Sequence, residues 1–371
     1  MTMIIDGSLG TTFPDSSLQP AAASPYVLKN KIINGAMVID QRNAGASVSI
    51  PSTGGQYTLD RWKIISNQSS KMTVQQNAAS VTSPTGFTNY LGITSSSSYT
   101  VLTGDYFYLE QDIEGFNVSD LGFGTASAKT VTLSFWVRSS LTGTFGGAFS
   151  NSAQDRSYPF SYTISSANTW TQISITITGD TSGTWLTTNG VGIRVFFGLG
   201  VGTTYSGTAG AWASATYVTA TGATSVVGTN GATWYITGVQ LEVGTTATPF
   251  ERRLYNQELA NCQRYYWRSN GSTANNVFYG EGLAGGSTSA YIRVKTPMTM
   301  RVLPTSLDYS TLRLSIITNS FAMTSASIAD GNPDNVVVQC GVASGLTATT
   351  QMYMLYTATN SSGYIGFSAE L

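Results

Sequence analysis

The 371-residue chain contains no histidine. That removes the usual general base near neutral pH, the usual partner of a hydroxyl or thiol nucleophile, and the commonest transition-metal ligand. Cysteine is nearly absent as well. Cys262 and Cys340 lie far apart, follow no metal-binding spacing, and read as two reduced thiols. Charged residues make up 10% of the chain, against about 25% in ordinary globular proteins. With a net charge of −1 and no cluster of Lys and Arg, attraction to nucleic acid or an anionic membrane is not expected. No run of about 18 apolar residues exists to span a bilayer. The opening MTMIIDGSLG has neither the basic region nor the long apolar core of a secretion signal.

What is present is a 41% hydrophobic fraction, enough to bury a core, together with 39 glycines and abundant Ser and Thr. This is the composition of many short strands joined by tight turns, with a charge-poor surface suited to contact with other subunits. Strand-like alternation starts at 31–39 and 57–65 and recurs at 68–76, 99–112, 129–139, 158–164, 171–178, 191–197 and 234–243. It is cleanest at 129–139, where Val131, Leu133, Phe135 and Val137 share one face and Thr130, Thr132, Ser134 and Trp136 the other. Such a series without a long helix predicts a two-sheet sandwich. The stretch 233–253 closes it. Tyr235, Thr237, Val239, Leu241 and Val243 fall on one side of an extended chain. Gly244 then ends the strand, Pro249 forbids a central strand beyond it, and Glu251, Arg252 and Arg253 restore charge.

Leu254, Glu258, Leu259, Cys262 and Tyr266 recur at helical spacing, which predicts a short connecting helix able to pack on its own neighbours or on symmetry mates about a three-fold axis. From Ser269 strands resume at 289–295, 311–317, 335–340, 350–356 and 363–369, forming a smaller β-sandwich. The fold class is therefore all-β.

The run YITGVQLEVG…TPFERR, followed by ELANCQRYY, resembles a module found repeatedly in bacteriophage tail fibres and related prophage proteins. KIINGAMVIDQR, YTLDRWKI and VTLSFWVRSS fit the same pattern, and the resemblance covers 28–266. It implies a jelly roll of the carbohydrate-binding-module kind in a homotrimeric, non-enzymatic receptor-binding protein of a phage virion. On this reading 1–27 docks on other tail proteins, 28–253 is the jelly roll, 254–268 the connector helix, and 269–371 a tip domain contacting a host-surface glycan. Assembly in the host cytoplasm and release by lysis fit the missing export signal. A purely architectural collar or decoration protein, and a glycan-cleaving tailspike, are the alternatives.

Asp105, Glu110, Asp112 and Glu114 form the densest acidic group. Glycoside cleavage needs two carboxylates about 5 to 9 Å apart in a cleft, whereas Glu110, Asp112 and Glu114 share one strand face and read as solvent-facing or cation-binding. Gly198, Gly200 and Gly202 follow a strand but precede no helix, so they read as a turn at the sandwich rim and not as a phosphate loop. The resemblance further implies a structural calcium held by Asp40 and Glu242, although Met37 and Val38 stand where the family pattern has an acidic residue. No other cofactor is expected. Sugar contact calls for aromatic rings with nearby hydrogen-bonding groups. The candidates are Trp136 with Arg138, Trp62 beside Arg61, and Trp185, with Tyr279, Tyr309 and Tyr353 in the last domain.

Overall fold

The computed structural model describes residues 29–50, 55–270, 277–348, 351–357 and 363–371, together with the backbone of three short strands, Ile4–Asp6, Gly10–Thr12 and Leu18–Gln19. Apart from those three strands, which pair antiparallel, the segment 1–27 expected to dock on other proteins lies outside the described residues.

Two six-stranded antiparallel sheets make up the region 48–243. One runs, in spatial order, Thr171–Ile177, Val131–Ser139, Thr233–Val243, Leu91–Ser95, Met72–Gln76 and Val48–Ser49. The other runs Ser157–Ile164, Gly143–Ser150, Val191–Val201, Tyr106–Glu114, Lys63–Ser66 and Gly55–Tyr57. Neighbours in space are seldom neighbours in sequence, as in a jelly roll. Between the sheets Val131, Leu133, Phe135 and Val137 all point inward. Phe197 is the hub, with its ring centre 5.2 Å from Phe135, 5.8 Å from Trp234 and 6.4 Å from Trp62.

The closing strand departs from simple alternation. Trp234 and Ile236 enter the core with Val239 and Leu241, while Tyr235, Thr237, Gln240 and Glu242 lie on the opposite side of the sheet, buried there beneath other segments. The parity switches at Gly238, whose φ of 63° belongs to a bulge opposite Ser134 and Trp136. A Cβ there would sit 2.6 Å from the Phe87 ring, so only glycine fits on both counts.

The predicted helix forms over Tyr255–Gln263. It turns Cys262 into a small core with Ile33, Ile39 and Tyr265, and Leu259 and Leu371 pack against it. Its buried face is thus used within its own chain, while Leu254 and Tyr255 stay exposed. The C-terminal region then forms a three-stranded sheet, Tyr266–Asn270, Tyr364–Ser368 and Ser306–Ser310. Beside it a closed six-stranded barrel runs Phe278–Ala284, Ser289–Lys295, Asn335–Val342, Asn319–Asn332, Leu312–Ile316 and Met352–Thr357. Alternation alone does not separate a sandwich from a barrel, since both bury one face of every strand.

The two halves meet through buried charge. Arg61, 1% exposed, pairs through Nη1 with Oε2 of Glu370, donates Nη2 to the carbonyl of Asp112, and stacks 3.7 Å from the ring centre of Tyr265. Arg42 reaches the other oxygen of Glu370 at 3.1 Å and lies 3.5 Å over the Tyr266 ring. Tyr57 donates its hydroxyl to the carbonyl of Leu371 at 3.0 Å.

Asp60 sits in the same junction, fully buried, accepting from Gln41. Burial pushes its carboxyl up to about 6, with Arg42 and Gln41 pulling the other way. An unfolded Asp titrates near about 3.9. Between roughly pH 4 and 6 the folded group therefore keeps a proton that the unfolded one has lost, and its contribution to stability falls as pH rises, by about 3 kcal/mol in all. Asp60→Asn cannot titrate. Urea unfolding across this range should show the wild type losing stability relative to the variant by that order. Parallel pH profiles would contradict the burial of this carboxyl.

Candidate functional site

Three of the expected sugar-contacting rings are closed to any ligand. Trp62 is 0% exposed between the sheets and donates its indole N–H to the carbonyl of Asn34 at 3.0 Å. Trp185 is buried edge-on against Phe123 and Trp212, at 5.0 and 5.4 Å, and donates to the carbonyl of Ser182. Tyr353 is 1% exposed inside the barrel, its hydroxyl accepting from the N–H of Thr347 at 2.7 Å. Large apolar rings fill cores first, and outward parity on a strand is the better sign of a contact.

Trp136 and Arg138 do face outward, half-buried on the first sheet. Trp136 stands beside Gly238, and Arg138 bonds the carbonyl of Asn168 at 2.9 Å over the Tyr235 ring. Loop residues Phe87 and Phe250 cover that face, ring centres 5.1 Å apart, with Arg252 stacked on Phe87. Tyr309 lies on the three-stranded sheet, where its hydroxyl accepts from the N–H of Ala326 at 3.1 Å.

The carboxylates are likewise committed inside the chain. Asp40 caps the turn that follows it, accepting from the N–H of Asn43 at 3.0 Å and of Gly45 at 2.7 Å. Glu242 accepts from Thr248 and Gln240 and pairs with Lys29 at 3.7 Å. The two proposed calcium ligands thus serve separate local networks, and among the described residues no three of His, Cys, Asp and Glu gather as a metal site.

Glu110, Asp112 and Glu114 are buried where solvent was expected. Arg194 Nη1 donates to Glu110 at 2.5 Å and to Asp112 at 2.9 Å. Burial and the neighbouring Glu110 raise the Asp112 carboxyl well above the usual range. At Glu114 burial also acts upward, but hydrogen bonds from Arg264, at 2.9 and 2.6 Å, and from the Tyr265 hydroxyl outweigh it and hold the pKa below normal. Asp105 belongs to a different turn, accepting from Tyr99 and from the N–H of Leu102. Gly198 and Gly200 lie within the strand Val191–Val201, and Gly202 begins the turn after it.

An open site lies on the outside of the barrel: a cleft of ≈ 790 Å³ across the strands Phe278–Ala284 and Ser289–Lys295 and their neighbours. Its lining follows from register. In Ser289–Lys295 the residues Ala290, Ile292 and Val294 fill the barrel, which turns Tyr291, Arg293 and Lys295 outward. Across the ladder Tyr291 opposes Leu283 on one side and Gln339 on the other. Arg293 opposes Glu281 and Val337, and Lys295 opposes Asn335. Met352 extends the first row beside Leu283. Phe278, Leu283, Tyr291 and Met352 are between 43% and 54% exposed, an unusual grouping of apolar side chains on one open surface. A Cβ at Gly280 or Gly282 would lie 2.0 Å from the Arg293 carbonyl oxygen or 1.8 Å from that of Tyr291, so glycine is what lets these two strands approach so closely.

Of the sequence candidates only Tyr279 lines this cleft, and it is 9% exposed. Phe278, Glu281, Tyr291, Arg293 and Asn335 were not anticipated. The outward parity of Tyr291 in SAYIRVK was the available signal.

No protein-family model matches the chain, and no curated protein matches it. Among solved structures it is similar to the enzymatically active domain of tailspike protein 4 of bacteriophage CBA120, at 12% identity and TM-score 0.33, over 58% of this chain and 21% of that one. It is also similar to the family 11 carbohydrate-binding module of Clostridium thermocellum in complex with a β-1,3-1,4-mixed-linked tetrasaccharide, at 13% identity and TM-score 0.27, over 56% of this chain and 100% of the module. A family 61 carbohydrate-binding module in complex with β-1,4-galactotriose matches at 11% identity and TM-score 0.27, over 49% of this chain and 88% of that one. Likeness at this level leaves function to the chain's own residues.

The contrasting placements of Trp62 and Trp136 are open to a direct test. Trp62→Ala should cost about 3–5 kcal/mol of unfolding free energy, and Trp136→Ala less than about 2 kcal/mol. The reverse order in chemical denaturation would contradict the placement.

Proposed function

We propose that the chain is a non-enzymatic structural protein of a phage tail, attaching the virion to a host-surface glycan through the outer cleft of its C-terminal barrel. One observation carries this reading. Exposed rings, Phe278 and Tyr291, share an open concavity with Glu281, Arg293 and Asn335. Ring faces suit the apolar side of a pyranose, and the polar groups suit its hydroxyls. The motif series over 28–266 supports a tail-fibre setting, with 1–27 docking on other tail proteins and assembly in the host cytoplasm. A homotrimer would present three such clefts, so that individually weak contacts sum to firm attachment. Engagement of the buried carboxylates Glu110, Asp112 and Glu114 with Arg194 and Arg264 supports attachment in preference to glycan cleavage.

The test is adsorption of the full chain to host cell envelopes. Phe278→Ala with Tyr291→Ala should weaken it at least about tenfold, or about 1.4 kcal/mol, while leaving thermal unfolding unchanged. Undiminished adsorption by this double variant would overturn the assignment of the cleft. No adsorption by the wild type would favour an architectural virion protein.

A further inference from the structure

The cleft carries a chemical bias beyond its shape. Among the described residues the arginines are otherwise engaged. Arg42, Arg61, Arg156, Arg194, Arg253 and Arg264 each pair with a carboxylate. Others bond carbonyls or lie over rings, as Arg301 and Arg252 do. Arg293 has none of these among the described residues. Glu281 is its direct cross-strand partner, yet no ion pair within 4.0 Å joins them. Lys295, the next outward position on the same strand, likewise has no carboxylate partner among the described residues. Both side chains line the cleft, with Glu281 as its single carboxylate.

In a chain of only 18 cationic residues, two unpaired ones stand in line with an exposed ring. Outward positions on a strand are spaced about 6.6 Å, so Tyr291, Arg293 and Lys295 cover about 13 Å, the reach of a short oligosaccharide. A guanidinium with free donors is suited to a planar anion, which it binds by paired hydrogen bonds. We infer that the cleft selects an anionic saccharide, its ring on Tyr291 and its carboxylate or phosphate on Arg293 and Lys295. This rests on the glycan-binding reading above and narrows it to a ligand class.

The experiment is calorimetric titration of the full chain with three probes: an oligogalacturonate, the same oligosaccharide after reduction of its carboxyl groups, and a phosphorylated oligosaccharide of similar length. At about 0.05 M salt one of the anionic probes should bind at least about tenfold more tightly than the reduced one, and the preference should shrink by about 0.5 M, where screening is strong. Which anionic probe is preferred separates carboxylate from phosphate recognition. The double substitution Arg293→Gln and Lys295→Gln should remove the preference without changing thermal unfolding, since both side chains are outside the barrel core. Equal binding of all three probes, or a preference that survives the double substitution, overturns the anionic-sugar inference and leaves the glycan reading intact. If no probe binds while wild-type chain still adsorbs to host envelopes, the inference alone falls. If adsorption is absent too, both fall.

Discussion

The constraint on which the structure depends is a buried guanidinium. Arg61 lies at the edge of the jelly-roll core, and its charge is met by Glu370, next to the last residue of the chain. An ion so far removed from water is tolerable only when its charge is paired, and losing the partner of such a pair costs about 3–5 kcal/mol. The docked far end of the chain therefore stabilises the jelly roll. Tyr265 beneath the guanidinium, Arg264 on Glu114, and Leu371 in the helix core complete the same junction. Joined this way, the barrel and its cleft are held by the sandwich and not tethered by a loose linker.

The same economy of charge runs through the molecule. With so few ionisable side chains, most are drawn inward to make structure: Arg194 across Glu110 and Asp112, and Arg156 on Asp180. The barrel cleft departs from that pattern, because Arg293 and Lys295 face solvent with no ion pair to a carboxylate among the described residues. Where a charge-poor protein leaves charge unpaired beside exposed rings, recognition is the physical account that fits both features.

Much of the fold was legible in the sequence because strand parity is local. The inward set Val131, Leu133, Phe135 and Val137 needs no knowledge of distant residues, nor does the helical spacing of Glu258 and Cys262. The flip at Gly238 was not legible, because a bulge depends on a positive φ and on the crowding of Phe87 from another loop. The acidic strand misled for a related reason. Arg194 lies 84 residues from Glu110 and Arg264 lies 150 from Glu114, so nothing nearby announces that these carboxylates are neutralised in place. The candidate site was only partly visible. Tyr279 marked the right strand, while aromatic type alone drew attention to Trp62, Trp185 and Tyr353, which are core. Outward parity, as at Tyr291, was the more informative property.

The docking claim is tested most directly by a double-mutant cycle on Arg61→Met and Glu370→Gln, with unfolding free energies taken from urea titration. If the pair forms as described, each single change costs about 3–5 kcal/mol, the double change costs little more than either, and the coupling is about 2 kcal/mol or larger. Additive effects with no coupling would mean that the C-terminus does not close on the jelly roll.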